Sequence, residues 1–301
     1  MKKSIVSVSR RTDIPAFFGD WFAQQLDKGH TTVYHPYKHE RITVSLEPQD
    51  VAAFVFWSKD YRPFWNYLEV LDRQGYSFVF HYTITGLPSI FEPKVPSAAE
   101  SCQTLKLISQ RYSPQHITWR YDPIILTDKT PPDYHIDKFR DLCQQLEGYT
   151  RRCYISFVNL YSKVLRSLMR YENIFSIIDL PVLDKIQLSE DLATIASEHG
   201  ISLSSCCNKY LVRGWITEGH CVDVELLHEL FGINKNDYEL KPSRKYCGCY
   251  ESIDIGSYNT CKHGCIYCYA NRSPSKSRFT NKQPKKQRNK CFKQLSLDFN
   301  N

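Results

Sequence analysis

Five cysteines fall within one short stretch: Cys247-Gly-Cys249, then Cys261-Lys-His-Gly-Cys265-Ile-Tyr-Cys268. The second group has the spacing C-x3-C-x2-C, which lets one short loop wrap three thiolates around a metal centre. Structural zinc sites take four ligands, usually from paired cysteines or histidines. Iron–sulfur clusters are held by cysteine thiolates at family-specific spacings. A cluster held by only three cysteines leaves one iron open to a ligand that is not protein, and an open position permits chemistry. Cys247 and Cys249 add two thiolates, for which Cys206 or Cys207 and Cys221 are the candidate partners. Four such ligands would build a second iron–sulfur cluster or a structural zinc site. Cys102, Cys143 and Cys153 lie within predicted helices or a strand, where a buried free cysteine is a small hydrophobe.

The elements that must position these groups alternate β-like runs with helical periodicity, the pattern of an α/β fold with parallel strands. Strands are expected at 4–9, 31–34, 52–57, 77–83, 117–121, 153–157 and 201–205. Helices are expected at 17–28 and 65–73, near 135–147, around 190–198 and at 223–230. Ser97-Ala-Ala-Glu100 is a capping-box signature for a further helix. A (β/α) barrel or partial barrel of about 250 residues fits this alternation. An open doubly wound sheet is the alternative, but the G-x-G-x-x-G turn it often carries is missing. The expected organisation is a barrel-like domain over 1–246, a cluster-binding segment over 247–272 held by metal more than by a core, and a basic tail over 273–301.

In such a fold, side chains at the carboxyl ends of the strands converge on one mouth. The predicted ends carry Arg10, Arg11 and Asp13, then Trp57, Ser58 and Lys59, then His81, then Arg120 and Asp122, and finally Ser156 and Asn159. Together they describe an aromatic-walled basic pocket for an anionic or zwitterionic ligand, with Arg10, Lys59, Arg120 and Asp122 positioning it. Arginine presents a fork that matches carboxylate or phosphate. Pairing of Arg10 and Arg120 with Asp13 and Asp122, merely to close the fold, is the alternative. His81 alone reads more simply as a satisfied core histidine.

Twelve cysteines without a secretory leader argue for metal or redox chemistry in the cytoplasm rather than a disulfide framework. No apolar run approaches a membrane span. The net charge of +7 is uneven: from Arg272 to Asn301 there are nine Lys and Arg against one Asp, leaving the rest of the chain close to neutral.

Cys261, Cys265 and Cys268, with Tyr267 before the third cysteine and Tyr269-Ala-Asn271 after it, resemble the cluster loop of the radical S-adenosylmethionine (SAM) superfamily. That resemblance implies a [4Fe–4S] cluster whose open iron chelates SAM, with Tyr267 and Asn271 beside the cofactor. Reductive cleavage of SAM then yields a 5′-deoxyadenosyl radical that abstracts hydrogen from substrate. In that superfamily the loop follows the first barrel strand, whereas here it begins at Cys261. Either the barrel is permuted or the loop docks onto the mouth of an otherwise complete one. The stretch also resembles the loop of spore photoproduct lyase, a DNA-repair enzyme. Ser9-Arg-Arg-Thr-Asp-Ile-Pro15 and Arg244-Lys-Tyr-Cys-Gly-Cys-Tyr-Glu-Ser-Ile-Asp-Ile-Gly-Ser-Tyr258 resemble DUF1848, an uncharacterised bacterial family whose C-terminal cysteines are similar to a radical SAM loop.

The tail carries a basic run, Lys285, Lys286, Arg288, Lys290 and Lys293, that would attract nucleic acid through its phosphates. A solvated linker is the simpler reading. Gln294-Leu-Ser-Leu-Asp-Phe299 resembles the Q-L-x-L-x-F peptide by which bacterial DNA-processing proteins dock on the replication sliding clamp. The sequence therefore supports two classes of function. One is a radical SAM-like iron–sulfur enzyme. The other is a nucleic-acid-associated module, stabilised by zinc or a structural cluster, that its tail recruits to the clamp.

Overall fold

A computed structural model describes residues 2–34, 40–242, 244 and 246–271. Its strands are β1 (Ser4–Val8), β2 (His30–Tyr34), β3 (Arg41–Ser45), β4 (Val51–Ser58), β5 (Phe78–Thr83), β6 (Ile117–Ile124), β7 (Arg152–Phe157), β8 (Ser202–Ser205), β9 (Ile216–Glu218) and β10 (Ile253–Asp254). The helices are α1 (Ile14–Phe17), α2 (Gly19–Asp27), α3 (Trp65–Arg73), α4 (Ala98–Arg111), α5 (Pro132–Leu146), α6 (Ser162–Leu168), α7 (Val182–Glu198) and α8 (Val224–Phe231). Eight strands form one sheet in the order β10-β1-β4-β5-β6-β7-β8-β9. Every neighbouring pair in it runs parallel. The fold is mixed α/β, with a central parallel sheet flanked by helices.

Near-continuous apolar runs explain why these strands lie inside. Phe54 and Phe56 of β4 and Phe80 of β5 are fully buried and pack with Phe22 of α2 and Phe64. Burying a side chain of this size contributes roughly 1.5–3 kcal/mol. On the next strand Trp119 stacks on Phe139 of α5 at 4.9 Å and donates its indole N–H to the Ile84 carbonyl. The capping box forms: the Ser97 hydroxyl accepts from the Glu100 N–H, and the Glu100 carboxylate accepts from the Ser97 N–H.

Several elements differ from the sequence expectation. The strand expected at 31–34 stands outside the main sheet, where β2 pairs antiparallel with β3. Its burial alternates residue by residue, as in a strand with one wet face. Helix α7 starts at Val182, directly after Pro181, well before the expected 190. The expectation missed β3, β9 and β10, of which β9 and β10 are too short to show a period. The segment after Cys247 is also built into the core: β10 pairs with β1, and Ile255, Ile266 and Tyr267 are buried.

His135 of α5 joins this helix to the end of β6. The Tyr121 hydroxyl donates to its Nδ1 at 2.8 Å, and Nε2–H donates to the Ile125 carbonyl at 2.9 Å. Acceptance from Tyr121 at Nδ1 requires the neutral ring, and burial pushes its pKa from 6.5 down to about 4. The unfolded chain therefore binds the proton first as pH falls, and stability drops between pH 6.5 and about 4. The size is about 3 kcal/mol at one pKa unit per 1.4 kcal/mol. Urea unfolding across this range is expected to show a shallower pH slope for His135→Gln than for the natural chain.

Candidate metal centre and active-site cavity

A cavity of about 700 Å³ opens at the carboxyl ends of the sheet strands. Its lining combines the loop after β1, the ends of β4, β5, β6 and β7, the cysteines after β8, and the stretch from Tyr258 to Ala270. Arg10, Lys59, Arg120 and Asp122 therefore share one cavity with Cys261, Cys265, Cys268 and Tyr267, and with Cys206, Cys221, Cys247 and Cys249. The loop is brought over the strand ends, although its cysteines come at the end of the described chain.

The three-cysteine loop is fastened at several points. His263, between the first two cysteines, bonds the Asp13 carboxylate through Nε2 at 2.8 Å and the Lys94 carbonyl through Nδ1 at 3.0 Å. Two acceptors on the two ring nitrogens call for the imidazolium. Burial opposes that charge, but Asp13 outweighs it and raises the histidine above its ordinary pKa. Asp13 also caps α1 through the Ala16 N–H and accepts from the Ser58 hydroxyl and the Lys59 N–H. Gly264 sits at φ 76°, a left-handed turn that suits glycine. Asn271 Nδ2 donates to the Cys261 carbonyl at 2.9 Å and closes the loop on itself. The Tyr269 hydroxyl donates to the Arg10 carbonyl at 2.6 Å.

Glu92 collects the next layer. It pairs with Lys59 at 2.8 Å and accepts from Thr85 Oγ1 and from the Tyr267 hydroxyl. Burial works against the Lys59 charge, yet Glu92 prevails and the ammonium is held above its ordinary pKa. Cys265 lies within the fields of both groups. Burial pushes its thiol well up, and Lys59 partly counters this. Burial, followed by the Asp13 charge, pushes the Cys261 thiol up to about 12. Ala270 N–H points at the Cys268 sulfur at 3.3 Å.

The strand-end charges do pair, though not all as the sequence suggests. Arg120 bonds Asp122, and Asp122 accepts from the Ser156 hydroxyl. Arg10 and Arg11 lie 3.6 and 3.8 Å from Asp254 of β10, while Asp13 serves His263. Gly256 is required where β10 ends, since a Cβ there would fall 1.9 Å from the Ser9 hydroxyl. His81 is a core histidine: Nε2–H donates to the Cys221 carbonyl at 2.7 Å, and burial, then Arg120, lowers it to about 3.

The remaining cysteines form a ring of thiol contacts. Cys206 lies 3.2 Å from Cys221 and 3.7 Å from Cys207, sulfur to sulfur. Cys247 lies close enough to act on the Cys207 thiol, and Cys249 on those of Cys247 and Cys221. The bond from Cys206 lowers the Cys221 thiol, but Cys249 and burial prevail and push it up to about 12. Both Cys206 and Cys207 thus belong to the ring. Among the described residues, no group of three or more His, Cys, Asp or Glu side chains already has the arrangement that would hold a metal ion. Cys102, Cys143 and Cys153 are buried.

Sequence reasoning missed His263, Glu92, Asp254 and Arg244 as parts of this cavity or its supports. The position of His263 inside the cysteine loop was a signal, but its partner lies 250 positions away. The clamp-like peptide Gln294–Phe299 and the basic run lie outside the described residues. No helix among the described residues is long and apolar enough to cross a membrane.

A family model described as a domain of unknown function, DUF1848, matches residues 5–270. No curated protein matches the chain.

The His263 anchor makes a prediction. His263→Ala should leave the far-ultraviolet circular dichroism unchanged while trypsin cuts after Lys262 at least several-fold faster. Equal cleavage rates would mean that the other fastenings suffice without it.

Proposed function

The chain belongs to the DUF1848 family, and from its cavity we propose that it is an iron–sulfur enzyme of the radical SAM kind acting on an anionic or zwitterionic substrate. The observation that carries this reading is the sharing of one cavity by Cys261, Cys265 and Cys268 with Arg10, Lys59, Arg120 and Asp122. Three thiols on one loop, lining a cavity with room for a ligand, are a donor set that fits a [4Fe–4S] cluster with an open iron. When bound, such a cluster with SAM supplies one-electron chemistry for hydrogen abstraction, which the protein must aim and shield.

The chain's own groups are suited to that task. Cys261, Cys265 and Cys268 would hold the cluster, with the Ala270 N–H directed at the third sulfur. Asn271 Oδ1 is buried without a partner, so it has an acceptor to offer a cofactor amine beside the loop. Tyr267, tied to Glu92, and Trp57 wall the cavity and exclude water. Arg120, bonded to Asp122 and lying over the Trp57 ring at 5.2 Å, is held in one orientation for an anionic group. Lys59 and Arg10 extend the same positive lining. The strand order also suits a barrel or partial barrel whose seam falls between β9 and β10.

Iron and sulfide analysis of anaerobically purified protein, with electron paramagnetic resonance of the reduced form, tests the reading. The expected result is a [4Fe–4S]⁺ signal that changes on adding SAM, and loss of that iron in Cys265→Ala while the fold persists. A full iron and sulfide content in Cys265→Ala would remove the ligand assignment. A cluster signal indifferent to SAM would remove the enzyme class.

A further inference from the structure

The ring formed by Cys206, Cys207, Cys221, Cys247 and Cys249 is separate from the three-cysteine loop and draws on three stretches of chain. All five are free thiols, and four are buried. A thiol is a weak donor and a weak acceptor, so packing five of them together contributes little by itself. The sulfur separations of 3.2 and 3.7 Å lie well beyond a disulfide bond of about 2.05 Å.

Two guanidiniums, that of Arg120 buried and that of Arg244 partly buried, are aimed at this ring. Arg120 Nη1 donates to the Cys221 sulfur at 3.1 Å, and Arg244 Nε donates to the Cys207 sulfur at 3.0 Å. A second donor of Arg244 faces the Cys206 sulfur at 3.9 Å. A buried guanidinium is costly unless its partner carries negative charge. Neutral thiols do not supply that charge, whereas metal-bound thiolates do. A divalent ion in four thiolates carries two net negative charges, which Arg244 and Arg120, the latter shared with Asp122, offset in part. Cys207 is also held at φ 63°, an uncommon conformation for a residue with a side chain. That conformation keeps its sulfur turned into the ring.

We propose that four of these five thiols bind a single zinc ion, with Arg120 and Arg244 donating to the tetrathiolate. The sulfur spacing supports one ion rather than a cluster. Zn–S bonds of about 2.3 Å in a tetrahedron set the sulfurs about 3.8 Å apart, whereas cluster ligands sit on separate irons and lie farther from one another. The thiols here contact each other in pairs and not a common point, so loading requires them to rotate about χ1 and lose their protons. The site would hold the two segments Cys206–Cys221 and Cys247–Cys249 together. Through Cys221 it would also fix Arg120, which lines the cavity. The inference does not rest on a cluster at the other loop.

The test uses the full chain carrying Cys261→Ser, Cys265→Ser and Cys268→Ser, purified anaerobically from medium supplied with zinc and iron. Elemental analysis is expected to find about one zinc per chain without iron or sulfide. Addition of Cys221→Ser and Cys249→Ser should reduce the zinc to background. Absence of metal from the triple variant, or iron with sulfide in it, would overturn the proposal. Growth of the triple variant in cobalt gives a readout free of any folding defect in the five-fold variant. Visible bands of tetrahedral cobalt thiolate support the site, and their absence counts against it. If the natural chain lacks iron but the triple variant retains zinc, the cluster reading fails and this one stands.

Discussion

One buried carboxylate, Asp13, ties together parts of the chain that have no other reason to meet. It caps α1, receives the hydroxyl of Ser58 and the N–H of Lys59 at the end of β4, and takes His263 from the cysteine loop. A buried charge is tolerated only when its hydrogen-bonding capacity is filled, and four donors fill this one. The donors come from α1, the end of β4 and the last described segment. The loop's position over the strand ends is thus fixed by the solvation needs of one side chain. Asp254 does the same on the edge strand, where Ser7, Ser9, Arg10 and Gly256 all donate to it.

The electrostatics of the cavity follow from these ties. Four cations at the mouth already lean on carboxylates: Lys59 on Glu92, Arg120 on Asp122, and Arg10 and Arg11 together on Asp254. Such pairing holds the long side chains in single orientations before any ligand arrives, so less entropy is lost on binding. It also moderates the field, leaving recognition to geometry more than to bulk charge. Arg244 differs in that its donors face the sulfurs of Cys207 and Cys206.

Much of the sheet could be read from the chain because its strands are long apolar runs. Trp65–Arg73 is helical as expected, and the Ser97 box begins the predicted helix. The convergence of Arg10, Lys59, Arg120 and Asp122 was legible as well, since parallel strands deliver their carboxyl ends to one side. What could not be read shares a common physics. Strands β9 and β10 have three and two residues, and no periodicity survives at that length. Asp13 lies 250 positions from His263, and Arg10 lies 244 from Asp254, so nothing local marks these partners. The misplaced strand β2 did carry a sign. Its His-Thr-Thr-Val-Tyr run opens on three polar residues, unlike the solid apolar runs of the parallel sheet.

The pairing of β10 with β1 joins residues 247 positions apart in sequence. During synthesis β1 emerges first and must wait for its edge partner until nearly the whole described chain has left the ribosome. Contacts of such separation form late, because the loop between them must first be closed. The cysteine loop travels with β10, so the mouth of the cavity stays uncovered while the sheet behind it assembles. The cavity is therefore one of the last features of the fold to be completed.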